Sequence, residues 1–192
     1  LTVAAASAIG TIGQSVGHIA GSVAGLADVS VRQQFGVHVP QSLLDDIRSW
    51  PEVDLACGRV EGGAALRGKG SDRKFTAVLR GVEPRSDSQL VPREFAAGRA
   101  IRSDGEVMIC PNLRKELDAD LGDVLEVVRL GGNVELTVVG VFERPKLGAV
   151  QRPTAVTQLA QARTLVGQPG QLDEIFIKLR PGVDVEAWVE SH

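Results

Sequence analysis

The chain has 192 residues and a net charge of -3, with 21 Lys and Arg set against 24 Asp and Glu in no long runs of either sign. Hydrophobic residues make up 43% and charged residues 23%, which is typical of a folded globular protein and excludes a disordered chain. Neither a dense basic cluster nor an apolar run of about 18 residues occurs, so the sequence predicts no nucleic-acid partner and no membrane-spanning helix.

The first 27 residues are predicted to form one amphipathic helix. Apolar residues recur every three or four positions from Ile9 to Val23, so they share a helix face. A neighbouring face carries a glycine ladder, namely Gly13, Gly17, Gly21 and Gly25. The ladder would let another helix approach closely, and because each glycine costs about 1 kcal/mol in a helix, the segment needs a packing partner. The alternative is a frayed terminus that docks loosely on its own domain.

The chain starts at Leu1 without methionine, and its alanine-rich beginning lacks the basic residues of a signal peptide. These two features favour an excised fragment over a complete gene product.

Residues 28–82 alternate between strand and helix patterns. Apolar residues at alternate positions of Asp28–Val37 predict a half-buried strand. A helix is expected from Pro40 to Trp50, because proline suits the first turn of a helix and an apolar stripe follows it. Strands are then expected at Val53–Leu66 and Phe75–Val82, separated by a polar, glycine-rich tip.

Hairpin signals dominate the middle of the chain. A short strand is predicted at Glu106–Cys110, followed by a helix that Pro111 opens. After a turn at Leu121–Asp123, the strands Val124–Arg129 and Val134–Phe142 are expected to pair around a Gly-Gly-Asn turn.

Strand and helix alternate again towards the C-terminus. A connector rich in proline and glycine covers residues 144–153. We expect a helix at Leu159–Val166, a strand at Glu174–Leu179 and a last helix through Trp188.

These elements predict an α+β fold. Because the alternation of strand and helix is clearest at the two ends, residues 28–82 and 149–192 are expected to form a βαβ-type α/β subdomain. Residues 83–148 are expected to form an inserted β-rich subdomain.

Residues that commonly carry catalysis or bind metals are sparse. His18, His38 and His192 are the three histidines, and none has a second ligand at metal-binding spacing. Cys57 and Cys110 fit neither a zinc site nor a CxxC redox motif, so we interpret them as small buried hydrophobes. An oxidising compartment would allow a disulfide between the two cysteines.

Two near matches to ligand-binding motifs fail on spacing. The carboxylates of Asp118–Asp123 bracket a turn and lack EF-hand spacing, so no calcium site is predicted. Gly63 to Lys69 gives GxxxxGK, but Gly70 replaces the Ser or Thr that would hold magnesium, and no helix is predicted to follow.

We therefore predict no catalytic, cofactor-binding or metal-binding residues, and a protein that is not an enzyme. One alternative is a secreted ligand- or peptide-binding module. Another is a hydrolase with a dispersed triad, which would need His18 or His38 beside a serine and a carboxylate.

Several short motifs follow one another in a characteristic order. The central ones are Gly98 and Arg99 before a strand, the turn of Leu121, Gly122 and Asp123 after a helix, and the strand Val138–Val141. Flanking ones are Asp28–Val31, Ile47–Val53, Leu79–Pro84, Thr157–Ala162 and Ile175–Val183. This series, over about residues 28–188, resembles the extracytoplasmic core domain of MacB/FtsX-type ABC transporter permeases.

The resemblance implies a porter-like α/β subdomain and places residues 1–27 after a first transmembrane helix, as a membrane-proximal stalk. It implies a domain on the extracytoplasmic side of the cell membrane that relays ATP-driven motion to a substrate or partner outside, without a cofactor of its own. The implied partners are a cytoplasmic ATPase subunit or domain acting through the permease, a second permease copy, and an extracytoplasmic substrate or partner protein.

Overall fold

The computed structural model describes residues 16–17, 26–32, 38–143 and 152–192, with only the backbone described at residues 16 and 17. The strands in these ranges are β1 Val16–Gly17, β2 Val29–Val31, β3 Val39–Pro40, β4 Val53–Gly68, β5 Phe75–Val82, β6 Phe95–Gly98, β7 Glu106–Ile109, β8 Val124–Val127, β9 Val134–Phe142, β10 Thr154–Gln158, β11 Gln171–Leu172 and β12 Glu174–Leu179. The helices are α1 Gln41–Arg48, α2 Pro84–Leu90, α3 Pro111–Leu117, α4 Leu159–Val166 and α5 Val185–Ser191. The predicted α+β class is confirmed.

Local sequence signals determine where the helices begin and end. Pro111 occupies the first turn of α3, where its missing N–H removes no helical hydrogen bond. Helix α4 ends at Gly167, whose φ of 76° is left-handed and easily adopted by glycine. The Asp184 carboxylate caps α5 by accepting hydrogen bonds from the backbone N–H groups of Glu186 and Ala187.

The chain forms two compact units. Unit 1 comprises Leu1–Arg59, Arg85–Pro92 and Gly170–His192, and unit 2 comprises Val60–Pro84 and Arg93–Pro169. This division differs from the expected one, because residues 60–82 and the α4 region lie in unit 2 rather than with the chain ends. The reason is the pairing of β10, which is parallel to β5 and antiparallel to β7 and so joins these segments in one sheet.

Unit 1 is a layered α/β arrangement. Strands β1, β2, β12 and the first part of β4 pair antiparallel in that order, so β2 near the start of the chain lies beside β12 near its end. Strands β3 and β11 form a separate two-stranded sheet. Gly58 of β4 permits close packing, because a Cβ there would approach Leu172 and Leu44 to 3.0 Å or less.

Unit 2 is a closed β-barrel. The hydrogen-bonded circuit runs from β4 to β5, β10, β7, β9 and β8, and β8 pairs again with β4. Strand β6 is added outside the circuit on β9. Buried side chains from these strands and from α3 form one hydrophobic core, which includes Leu66, Leu79 and Leu136. Closure leaves the strands of the circuit without free edges.

Candidate functional site

The predicted Gly-Arg motif lies where the end of β6 comes close to β9. Gly98 has a φ of 74°, and a Cβ at this position would overlap the carbonyl oxygen of Val139. The next residue, Arg99, donates its backbone N–H to the same oxygen at 2.9 Å. Glycine is therefore required at position 98 both for its left-handed conformation and for the closeness of the two backbones.

The Arg99 side chain forms a bidentate ion pair with Glu106 at the start of β7. Its Nη1 and Nη2 donate to Glu106 Oε2 at 2.9 Å and Oε1 at 2.6 Å. The backbone N–H of Arg102 donates to Oε2 at 2.7 Å and that of Ser103 at 3.4 Å. The Arg99 guanidinium, followed by these backbone donors, lowers the pKa of Glu106 from 4.5 to about 2.

The predicted Leu-Gly-Asp turn also hydrogen-bonds to β9. Gly122 has a φ of 88° and donates its backbone N–H to Val138 at 2.8 Å. Val138 in turn donates to the carbonyl oxygen of Asp123 at 2.9 Å. The Asp123 carboxylate accepts the backbone N–H of Asp120 at 2.7 Å, which holds the turn closed.

Leu121 connects the two motifs, because its Cδ2 would lie 2.8 Å from a Cβ placed on Gly98. The structure therefore brings all five predicted motif residues together around β9. We call this cluster the motif junction; it consists of Gly98, Arg99, Leu121, Gly122 and Asp123. Its contacts are with groups of this chain, mainly the backbone of β9 and the Glu106 carboxylate.

The predicted stalk helix needs a correction at its centre. Val16 and Gly17 form the short strand β1, which pairs antiparallel with Val31 and Ser30 of β2. The edge of β2 offers backbone hydrogen bonds to these two residues. A glycine-rich segment has a low intrinsic helix propensity, so pairing with β2 is favoured over a helix at this point. The other ladder glycines, Gly13, Gly21 and Gly25, lie outside the described residues, so their stalk packing stays a prediction.

The candidate histidines occupy separate positions. His38 Nδ1 lies 2.9 Å from Asp173 Oδ1, which is the geometry of a base and its orienting carboxylate. Within the described residues, the structure gives the His38 side chain no contact with a serine hydroxyl. His192 instead stacks on Trp188 with the ring centroids 4.6 Å apart. His18 lies outside the described residues.

The remaining candidates for chemistry are structural. Cys57 and Cys110 are both buried and are not joined by a disulfide. In the part of the chain that the structure describes, no group of His, Cys, Asp or Glu is placed to hold a metal ion. Asp118 has a φ of 48° at the C-terminal end of α3, and Asp120 pairs with Arg114 at 2.7 Å. These carboxylates therefore shape the turn that leads to the motif junction.

A cleft lies beside β4 and β5. It encloses about 380 Å³ and is lined by Glu61, Gly62, Gly63, Thr76, Ala77, Val78, Arg152 and Pro153. Gly63 is the first glycine of the GxxxxGK match, and a Cβ there would meet no heavy atom within 4 Å. The match continues through the end of β4 into the turn before β5, so no helix N-terminus follows it.

Sequence reasoning missed one cluster of charged residues inside unit 1. Arg59 is 6% exposed, and its Nη2 donates to Asp87 at 3.0 Å. Its guanidinium lies 4.3 Å from the centre of the Phe176 ring, and its Nη1 lies 4.0 Å from Glu174. Glu174 also accepts two hydrogen bonds from Arg32, at 2.5 and 2.6 Å. No local sequence motif indicates this cluster, because its members are far apart along the chain.

Comparison with known proteins identifies the family. The model of the MacB-like periplasmic core domain matches residues 1–191. A search of curated proteins found no match. The chain belongs to the family of MacB-like periplasmic core domains, which are extracytoplasmic domains of membrane-anchored ABC transporter permeases. Such permeases work with a cytoplasmic ATPase.

Solved structures of similar domains share the fold. The periplasmic region of MacB from Actinobacillus actinomycetemcomitans has a TM-score of 0.65 and 14% identity, over 81% of this chain and 72% of that one. The extracellular domain of the noncanonic ABC-type transporter YknZ from Gram-positive bacteria has a TM-score of 0.64 and 10% identity, over 80% and 79%. A domain of a permease protein from Porphyromonas gingivalis has a TM-score of 0.63 and 22% identity, over 80% and 74%.

Residues 26–32, 38–143 and 152–192 contain no helix that is long and apolar enough to cross a membrane.

Proposed function

We propose that this domain relays motion, driven by ATP in the cytoplasm, from the transmembrane helices of its permease to a substrate or partner protein outside the membrane. The proposed partners are the ATPase subunit or domain, acting through the permease, a second permease copy, and the extracytoplasmic substrate or partner. Family membership supports the setting, and the closed barrel of unit 2 is the observation that carries the mechanical role.

A relay requires a body that moves without changing its internal shape. In unit 2 the barrel strands hydrogen-bond to neighbours on both sides, and the motif junction fixes β6 and the turn before β8 to β9. Packed cores of this kind respond to force by moving as a whole, because their close packing leaves little room for gradual deformation.

A second candidate function, binding of a ligand or peptide by this domain, is favoured by the cleft at Gly63. Its volume is about 380 Å³, which is within the range of small-molecule sites. A hydrolase is a weaker candidate, because the His38–Asp173 pair lacks a described serine partner.

The relay predicts that the domain moves when ATP binds. Leu130 is fully exposed at the tip of the β8–β9 hairpin, so Leu130→Cys accepts a spin label without disturbing the core. In the full-length permease with its ATPase, reconstituted in lipid, the distance between labels on two permease copies is expected to shift when ATP and vanadate are added. Pulsed electron paramagnetic resonance measures this distance.

The control is an ATPase that binds ATP but has lost its hydrolytic glutamate, which should hold the shifted state without vanadate. A label distance that is the same with and without ATP would refute the relay. A domain that only binds a ligand would give that result.

A further inference from the structure

Arg59 is the last residue of β4 that belongs to unit 1, since Val60 is the first residue of unit 2. Its side chain is buried, and its backbone carbonyl accepts the N–H of Asp173 at 2.9 Å. Its guanidinium reaches Asp87 at 3.0 Å and Glu174 at 4.0 Å. One residue thus holds three segments of unit 1 together.

Each of these segments is close in sequence to a point where the chain passes between the units. Asp87 belongs to Arg85–Pro92, a short part of unit 1 that is preceded and followed by unit 2. Asp173 and Glu174 follow Gly170, where the chain returns to unit 1 for the last time. Each crossing between the units therefore lies a few residues along the chain from Arg59 or from a residue that contacts it.

The N-terminal part of the chain is bonded to one of these anchored segments. Leu26 donates its backbone N–H to the carbonyl oxygen of Leu90, the last residue of α2, at 2.7 Å. Leu90 is fully buried and packs with Cys57 and Phe176. A displacement of the chain at Leu26 would consequently act on α2, which Asp87 connects to Arg59.

Stability alone is a poor explanation for the charges in this cluster. Removing ions from water is costly, and well-packed apolar residues of similar size often stabilise a protein as well as a buried ion pair does. The Arg59 Nε has no hydrogen-bond partner among the described residues, which adds to that cost. A buried ion pair does impose a specific geometry, because a forked guanidinium accepts few arrangements of its partners.

We propose that Arg59, Asp87 and Glu174, here called the Arg59 cluster, hold the three chain segments of unit 1 together as one body in the relay. The cluster keeps the three segments of unit 1 in one arrangement, so that unit 1 moves without a change in its internal shape. This inference rests on the proposed function.

The test removes the charges of Arg59 and Asp87 together. In the double variant Arg59→Met with Asp87→Leu, Glu174 keeps its two hydrogen bonds from Arg32. With the Leu130→Cys label in the full-length permease and its ATPase, we expect ATP hydrolysis to continue and the ATP-driven label shift to fall about twofold or more. The matched control removes a partly buried pair that lies wholly in unit 2, Arg67→Met with Glu126→Leu, and should keep the full shift.

The conservative variant Arg59→Lys retains the positive charge but loses the forked geometry of the guanidinium. It replaces the double variant in the test if the double variant fails to fold. It is expected to give a reduced shift as well. If the folded double variant gives the full wild-type shift, the proposed role of the Arg59 cluster is wrong. The same holds for a full shift in Arg59→Lys where that variant is used instead. Neither result would contradict the relay itself. Absence of a shift in the wild type overturns the relay itself and the cluster's role with it.

Discussion

Replacing Gly140 with alanine is expected to lower the free energy of unfolding by about 3 kcal/mol. A Cβ at Gly140 would overlap the carbonyl oxygen of Arg99 and lie 3.2 Å from Phe95 Cδ1. Because the obstructing atom is backbone, relief requires β6 to move away from β9, which would break the contacts of the motif junction. Denaturant unfolding of the chain, followed by circular dichroism, measures the loss.

Gly131→Ala is the matched control. Gly131 lies in the exposed tip of the same hairpin, and a Cβ there would meet no heavy atom within 4 Å. Its substitution should change the free energy of unfolding by no more than about 0.5 kcal/mol. Equal unfolding midpoints for the two variants would show that the approach of β6 to β9 is not a requirement of the fold.

Glu106→Gln should destabilise the domain by about 2 kcal/mol at neutral pH, because it removes the charge that accepts four hydrogen bonds. The effect should depend on pH with a definite sign. The folded state lowers the pKa of Glu106 from 4.5 to about 2, so the carboxylate stabilises the fold above about pH 4.5 and loses that contribution as the pH falls towards 2. The wild type and the variant should therefore converge in acid.

The exposed pair of Glu135 and Lys69 provides the comparison for this titration. Glu135→Gln removes an ion pair of 2.9 Å whose side chains are both about half exposed, and such solvent-screened pairs contribute little to stability. A difference between wild type and Glu106→Gln that stayed constant from pH 7 to about pH 2 would contradict the role assigned to Arg99.

Elements encoded by neighbouring residues were predictable from the sequence. The hairpin strand Val134–Phe142, the helix Leu159–Val166 and the strand Glu174–Leu179 have the bounds that their periodicity and flanking turns predict. The start of the helix at Pro111 and the turn at Leu121–Asp123 were also predictable. Proline and a left-handed glycine determine the backbone conformation of only a few neighbouring residues, so their effect can be recognised from the local sequence.

The pairings of Thr154–Gln158 with distant segments were not predictable. Nothing in Thr154–Gln158 indicates that it lies between β5 and β7, so the closure of the barrel and the boundary between the units were missed. The Arg59 cluster was missed for the same reason: a single arginine in a strand reads as an exposed residue until its partners are known. The pattern of charges became informative only with the three-dimensional contacts.

The most direct test of the relay compares two distances in the same reconstituted permease. One is the distance between copies at Leu130→Cys, and the other is the distance within unit 2 from Leu130→Cys to Ala160→Cys on an exposed position of α4. The buried Cys57 and Cys110 are replaced by alanine and serine so that they take no label. The relay predicts that ATP shifts the first distance and leaves the second unchanged. A change within unit 2 as large as the change between copies would contradict it.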